Sequence, residues 1–89
     1  MRVMTFTWRH ALTYRMEDDD DLGPVIAYAP DEAAFDVPFD ADYGRPEGPH
    51  VLAWTDTRVY FPVVYDGAES MGSAPRHPQP NGQAHIGGW

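Results

Sequence analysis

The run Val59-Tyr60-Phe61-Pro62-Val63-Val64-Tyr65 is the most strand-prone stretch of the chain, because β-branched and aromatic residues fill almost all of it. Asp66-Gly67 follows directly, and this dipeptide strongly favours a tight hairpin turn. The sequence therefore predicts a hairpin in which residues 68–73 return as a shorter strand. Pro62 has no backbone N–H to donate, so its strand should lie at a sheet edge or contain a bulge.

Two shorter apolar runs precede this hairpin and predict further strands. Val51-Leu52-Ala53-Trp54-Thr55 predicts a strand that a turn at Asp56-Thr57 joins to the hairpin. Val25-Ile26-Ala27-Tyr28-Ala29 predicts another strand, which should end at Pro30 because the residue before a proline is restricted.

The segment after Pro30 supports two interpretations. Asp31 could cap a very short helical turn, while the alternation of Phe35, Val37 and Phe39 favours an edge strand. Residues 40–49 hold two glycines and two prolines and are predicted to form a loop.

Residues 3–16 show the clearest periodicity in the chain. Large side chains occupy the even positions: Met4, Phe6, Trp8, His10, Leu12, Tyr14 and Met16. A period of two places such side chains on one face of a strand. We therefore predict one strand here, or two short strands joined by a bulge near His10, with the rings facing inward.

The chain is long enough for one domain, since it has 89 residues. Only sixteen residues are Leu, Ile, Val or Phe, so the eight Trp and Tyr side chains must supply much of the core. The predicted fold is mainly β, a small antiparallel sheet of four or five strands in a meander or half-barrel, with little or no helix. We assign residues 1–74 to this domain and residues 75–89 to a Pro/Gly-rich C-terminal extension.

Acidic side chains dominate the surface chemistry, because fourteen Asp and Glu face six Arg and give a net charge of −8. Residues 1–47 carry −7 of this total, and such a field repels phosphate backbones. We therefore expect no direct binding to nucleic acid and a basic protein as partner. The candidate partner-binding residues are Asp18, Asp19, Asp20, Asp21, Asp31, Glu32, Asp36, Asp40 and Asp42. The alternative is that Glu17 to Asp21 form only a solvated, exposed loop.

The sequence predicts no metal, cofactor or catalytic residue. An EF-hand pattern that starts at Asp18 fails at Leu22 and Ala29, and the four histidines follow no recognised ligand spacing. Neither a phosphate-binding loop nor a dinucleotide fingerprint is present in the sequence. No run approaches the length of a membrane span, and the N-terminus lacks the apolar core of a signal peptide, so cytoplasmic residence is expected.

These patterns lead to a functional hypothesis with two alternatives. The leading hypothesis is a small acidic, non-enzymatic protein that binds and inhibits a basic partner, such as a nucleic-acid-binding enzyme, in the manner of an immunity protein, an antitoxin or a phage inhibitor. The first alternative is an accessory or structural module of a larger assembly, bound through its aromatic sheet edge and its tail. The more distant alternative is a small metal-dependent enzyme. The oligomeric state stays open.

Overall fold

A computed structural model describes residues 6–39, 48–65, 68–83 and 85 of the chain. Four strands form a single antiparallel sheet in the order β1-β2-β3-β4, which is a meander. The described elements are α1 (Trp8–Asp18), β1 (Ala27–Ala29), a 3₁₀ helix (Glu32–Asp36), β2 (Leu52–Trp54), β3 (Arg58–Tyr65) and β4 (Ala68–Pro75). The described part of the chain is therefore a small, mainly β fold with one α-helix. Among the described residues, no helix combines the length and the apolar character needed to cross a membrane.

The hairpin predicted from Val59 to residue 73 is confirmed, and its second strand is longer than expected. β3 and β4 pair along their whole length, from Arg58 opposite Pro75 to Tyr65 opposite Ala68. The predicted turn at Asp66-Gly67 lies outside the described residues. The strands predicted around residues 25–29 and 51–55 are confirmed as β1 and β2, each three residues long.

Pro62 lies in an inner strand of the sheet and not in the predicted edge strand. It is nevertheless tolerated, because β2 pairs with β3 only through Ala53–Tyr60 and Trp54–Val59. Pro62 pairs with Met71 of β4 and has no described strand on its other side. No second strand therefore requires a backbone N–H from Pro62 at this position.

The strand predicted over residues 3–16 is wrong, and so is the expectation of little or no helix. Thr7 caps α1, since its hydroxyl accepts a 3.2 Å hydrogen bond from the backbone N–H of His10. The buried residues of the helix are Trp8, Ala11 and Leu12, which follow helical spacing. The alternation predicts that Tyr14 faces inward, but its side chain is 72% exposed.

The alternation misled because it contains a second period. Trp8, Leu12 and Met16 are four residues apart, and this spacing also defines one face of an α-helix. A helix forms in place of a strand because Thr7 supplies a cap and the helical face packs against β4 and the 3₁₀ helix. Residues 3–5 of the predicted strand lie outside the described residues.

After Pro30, the helical interpretation is the correct one. Asp31 caps the 3₁₀ helix by accepting a 3.0 Å hydrogen bond from the N–H of Ala34. Of the competing strand, one antiparallel bridge is present, in which Phe39 and Phe6 exchange two backbone hydrogen bonds of 2.9 and 3.1 Å. Of the loop predicted over residues 40–49, only residues 48 and 49 are described.

The core lies between α1, the 3₁₀ helix and one face of the sheet. Its largest fully buried side chains are Trp8, Phe35 and Tyr60. The indole Nε1 of Trp8 donates a 2.8 Å hydrogen bond to the carbonyl of Pro49, so its polar atom is satisfied. Gly48 passes directly over this ring, because a Cβ at that position would lie 2.8 Å from the Trp8 indole and 2.7 Å from Phe39.

Candidate partner-binding groove

The acidic run begins inside the end of α1 and then leaves it through a tight C-terminal cap. Asp20 adopts a left-handed backbone with φ of 55°. Its N–H donates to the carbonyl of Glu17, and the N–H of Asp21 donates to that of Met16, at 3.2 and 2.8 Å. These two bonds define a Schellman cap, which satisfies carbonyls that the helix itself leaves free. The cap reverses the chain within the run, so successive carboxylates face different environments.

Asp19 faces the interior, where it is held by two arginines and one serine. Arg15 donates two hydrogen bonds to its carboxylate, at 2.9 and 3.2 Å, and Arg58 lies 3.3 Å from it. The hydroxyl of Ser73 donates a further bond of 2.6 Å. Only 9% of the Asp19 side chain is exposed. Burial alone would raise the pKa of Asp19, but the bonds from Arg15 and Ser73 outweigh it and hold the pKa below its ordinary value.

Asp21 also faces inward and joins the acidic run to the sheet. The hydroxyls of Tyr60 and Thr55 each donate a 2.7 Å hydrogen bond to its Oδ2, and the N–H of Gly23 donates to Oδ1 at 3.0 Å. Burial opposes ionisation, yet these donors lower the pKa of Asp21 below its ordinary value. The pKa of the Tyr60 hydroxyl is raised, first by its burial and then by the bond to Asp21.

The prediction that Glu17 to Asp21 form a purely solvated loop is therefore wrong in two ways. Glu17 and Asp18 belong to α1, and Asp19 and Asp21 are structural acceptors. Exposed carboxylates of the run are those of Glu17, Asp18 and Asp20. Asp18 lies 3.7 Å from Arg15, at the long limit of an ion pair.

A polar groove of about 620 Å³ opens beside this turn. One wall consists of residues 19–23, the second of residues 56 and 57 in the turn between β2 and β3 with Arg58 at the start of β3, and the third of Pro75 with residues 79 and 81–83. The acidic side chains in these walls are Asp19, Asp20, Asp21 and Asp56, and the basic side chain is Arg58. Four acidic residues against one basic residue give the lining a negative formal charge, although Asp19 is already paired with Arg15 and Arg58.

The third wall is tied to the sheet at its first residues. The N–H of Arg76 donates to the carbonyl of Thr57 at 2.9 Å, and its guanidinium donates to that of Thr55 at 2.8 Å. The Nε2 of His77 lies 3.1 Å from the carbonyl of Asp56. The start of the C-terminal extension is thus bound to the β2–β3 turn, which positions it at the groove.

The remaining candidate residues lie elsewhere. Arg9 binds both Asp36, at 2.6 Å, and Glu32, at 3.2 Å, so these two carboxylates share one cation. The bond from Arg9 lowers the pKa of Asp36. Asp31 is occupied as the cap of the 3₁₀ helix. The two candidates at positions 40 and 42 fall outside the described residues. A partner-binding role for the whole set stays a prediction.

Sequence reasoning missed Asp56 and Arg58 as groove residues, and no local signal marks them. Asp56 lies in a predicted turn and Arg58 at a strand start, where either residue type is ordinary. Only the folding of residues 75–83 back onto this turn places them in a groove. Within the described part of the chain, no group of three or more His, Asp or Glu side chains is placed to hold a metal ion.

Comparison with known proteins adds no relative: no family model, no curated protein and no solved structure matches this chain.

Proposed function

We propose that this chain is a small acidic binding protein, without catalytic activity, whose groove accepts basic side chains of a macromolecular partner. The observation that carries the proposal is the pair Asp20 and Asp56. Both residues line the groove and are exposed, and neither side chain is bonded to any residue that the structure describes. They are therefore available to a Lys or Arg from outside.

The acidic run contains both internally bonded and exposed carboxylates, and this difference supports the proposed role. The carboxylates of Asp19 and Asp21 accept hydrogen bonds from other parts of the chain, and these bonds hold the turn in one conformation. A rigid turn presents Asp20 without first having to be ordered, and preorganisation of this kind improves affinity. The bound partner would have its basic surface covered, and this is the basis of the proposed inhibition. Cytoplasmic residence belongs to the same proposal.

The test uses an oligo-arginine peptide and a length-matched Gly/Ser peptide as probes in titration calorimetry. The double variant Asp20→Asn/Asp56→Asn should weaken oligo-arginine binding about 10-fold, because each exposed ion pair contributes up to about 1 kcal/mol. Affinity for oligo-arginine should also fall as salt rises, since exposed charges are screened. The Gly/Ser peptide should not bind.

Glu17→Gln/Asp18→Asn is the matched control, because it removes the same formal charge near the groove without altering its lining. It should weaken binding by about 2-fold through the lost net charge alone. Equal losses in the two double variants would show that binding follows overall charge and would overturn the groove as the site.

A further inference from the structure

Asn81 is the single asparagine of the chain, and Gly82 follows it directly. Both residues are exposed and lie beyond the end of β4, where the backbone forms neither a helix nor a strand. No hydrogen bond among the described residues involves Asn81 or Gly82. The side chain of Asn81 and the backbone N–H of Gly82 therefore have no partner that would hold them apart.

The backbone nitrogen of Gly82 is accessible, because glycine has no side chain to shield it. A Cβ at this position would meet nothing within 4 Å, so no other described part of the chain packs there. Gly48 differs, since a Cβ there would collide with two aromatic rings. The nitrogen of Gly82 can thus approach the side-chain carbonyl carbon of Asn81, and this approach is what ring closure between the two residues requires.

We propose that Asn81 is a site of spontaneous deamidation, with Gly82 as the nucleophile and water as the only co-reactant. The backbone nitrogen of Gly82 bonds to Cγ of Asn81, and the bond from Cγ to Nδ2 breaks. The proton of the Gly82 nitrogen passes through water to the departing group, which leaves as ammonia.

Water then opens the cyclic imide at one of its two carbonyl carbons. Cleavage between Cγ and the Gly82 nitrogen gives aspartate at position 81. Cleavage between the main-chain carbonyl carbon and the same nitrogen gives isoaspartate, in which the chain continues through the side chain. Either product carries a carboxylate that is ionised near neutral pH, where the amide of asparagine was uncharged.

The position of Asn81 connects this reaction to the groove. Asn81 and Gly82 line the third wall, while Asp20 and Asp56 line the other two. Conversion therefore adds a carboxylate to a lining whose formal charge is already negative. A basic peptide should then bind more tightly. This consequence rests on the proposed function, whereas the chemistry of Asn81 does not.

A change in mass reports on Asn81 specifically. Replacement of the amide NH₂ by a hydroxyl raises the mass by about 1 Da. The neighbouring glutamines, Gln79 and Gln83, have one more methylene group and must close a larger ring, which forms more slowly. Asp66-Gly67 can form the same imide, but it loses and regains water, so its mass is restored.

The test is mass spectrometry of the folded, full-length protein during incubation at neutral and mildly alkaline pH. The mass should rise by about 1 Da, and the tryptic peptide that begins at His77 should carry the change. Conversion should be faster at the higher pH, because the deprotonated nitrogen attacks. The same protein unfolded in urea provides the rate for an unrestrained segment. Folded protein that keeps its mass while the unfolded protein converts would overturn the proposal.

Gly82→Val is the blocking variant, because a β-branched side chain crowds the attacking nitrogen. It should show no conversion over the time in which half of the wild-type protein converts. Gln79→Val is the matched control, since it places the same side chain in the same wall and leaves the Asn81-Gly82 pair intact. It should convert at the wild-type rate. Equal conversion in Gly82→Val and the wild type would overturn the role of the Gly82 nitrogen.

The consequence for the groove is measured by titration calorimetry with the oligo-arginine peptide. Asn81→Asp, which carries the charge of the product, should tighten binding by up to about 5-fold, the range of one exposed ion pair. Thr13→Asp is the control, because Thr13 is exposed on α1 and does not line the groove. Equal gains in the two variants would contradict the link between Asn81 and the groove. Wild-type protein that does not bind the peptide would refute the proposed function, while the mass change would still support deamidation of Asn81.

Discussion

The phenolic hydroxyl of Tyr60, in the middle of the sheet, donates a 2.7 Å hydrogen bond to the carboxylate of Asp21, which lies 39 residues earlier in the chain. Tyr60 is completely buried, and its partner belongs to the most acidic segment of the sequence. The bond fastens the turn after α1 to β3. It therefore connects the stability of the core to the shape of the groove.

Removal of this hydroxyl should destabilise the fold without changing its packing. Tyr60→Phe is expected to lower the free energy of unfolding by about 1.5–3 kcal/mol, the usual contribution of a hydrogen bond to a charged group. Urea denaturation measures the change. Tyr14→Phe is the control, since Tyr14 is 72% exposed and its substitution should have little effect. Equal stability of Tyr60→Phe and the wild type would contradict a structural role for the bond.

Alkaline pH should destabilise the protein through the same hydroxyl. The pKa of Tyr60 is raised in the folded state, so above pH about 10 the unfolded chain releases a proton that the folded chain keeps. The free energy of unfolding should then fall as pH rises from about 10 to 11. The chain contains no Lys and no Cys, so few other side chains titrate in this range. A flatter alkaline profile in Tyr60→Phe is the expected result; identical profiles would assign the effect to other tyrosines.

Acid should destabilise the protein through Asp19 and Asp21, whose pKa values are lowered in the folded state. Their stabilising contribution is fully present above the unfolded pKa of about 3.9 and is lost as pH falls through the lower folded values. The free energy of unfolding should thus change little from pH 7 to about 5 and decrease below about 4. Asp21→Asn should be less stable at pH 7 and show a shallower acid decrease. A main loss between pH 6 and 7 would point to histidines.

The left-handed residue of the helix cap offers a stabilising substitution. Asp20→Gly should raise the free energy of unfolding by about 0.5–1 kcal/mol, because glycine adopts a φ of 55° without steric cost. The control is Asp18→Gly, which places glycine inside the last turn of α1 and should lower stability by about 1 kcal/mol. Thermal unfolding of both variants measures the contrast, and a destabilised Asp20→Gly would mean that the carboxylate contributes more than the backbone costs.

Gly48 should be intolerant of even one added carbon. Gly48→Ala would place a methyl group 2.7 Å from the Phe39 ring and 2.8 Å from Trp8, so the aromatic core must shift, at a cost of about 1–3 kcal/mol. Gly82→Ala is the control, because nothing lies within 4 Å of a Cβ at that position. Denaturation of the two variants tests the close contact between Gly48 and the two rings. Similar stabilities would show that the rings of Trp8 and Phe39 can shift at little cost.

The hairpin was predictable because its signals are local. β-branched and aromatic residues fill Val59 to Tyr65 and a turn dipeptide follows them directly, so both signals for the hairpin lie within one short stretch of sequence. The capping role of Asp31 was predictable for the same reason, since its partner is only three residues away. Each of these elements is decided by the preferences of neighbouring residues.

The helix α1 and the roles of the acidic residues depended on the tertiary structure. The large residues at the even positions 4–16 include Trp8, Leu12 and Met16, which are four apart, so the pattern alone could not separate a strand from a helix. Packing against β4 decided in favour of the helix. Positions 18 to 21 are all Asp. The left-handed backbone of Asp20 reverses the chain there, so their side chains point in different directions. The donors that distinguish them lie far along the chain, Ser73 being 54 residues from Asp19. Charge composition thus determines that the protein is acidic, whereas only the folded sheet determines which carboxylates accept internal hydrogen bonds and which stay exposed.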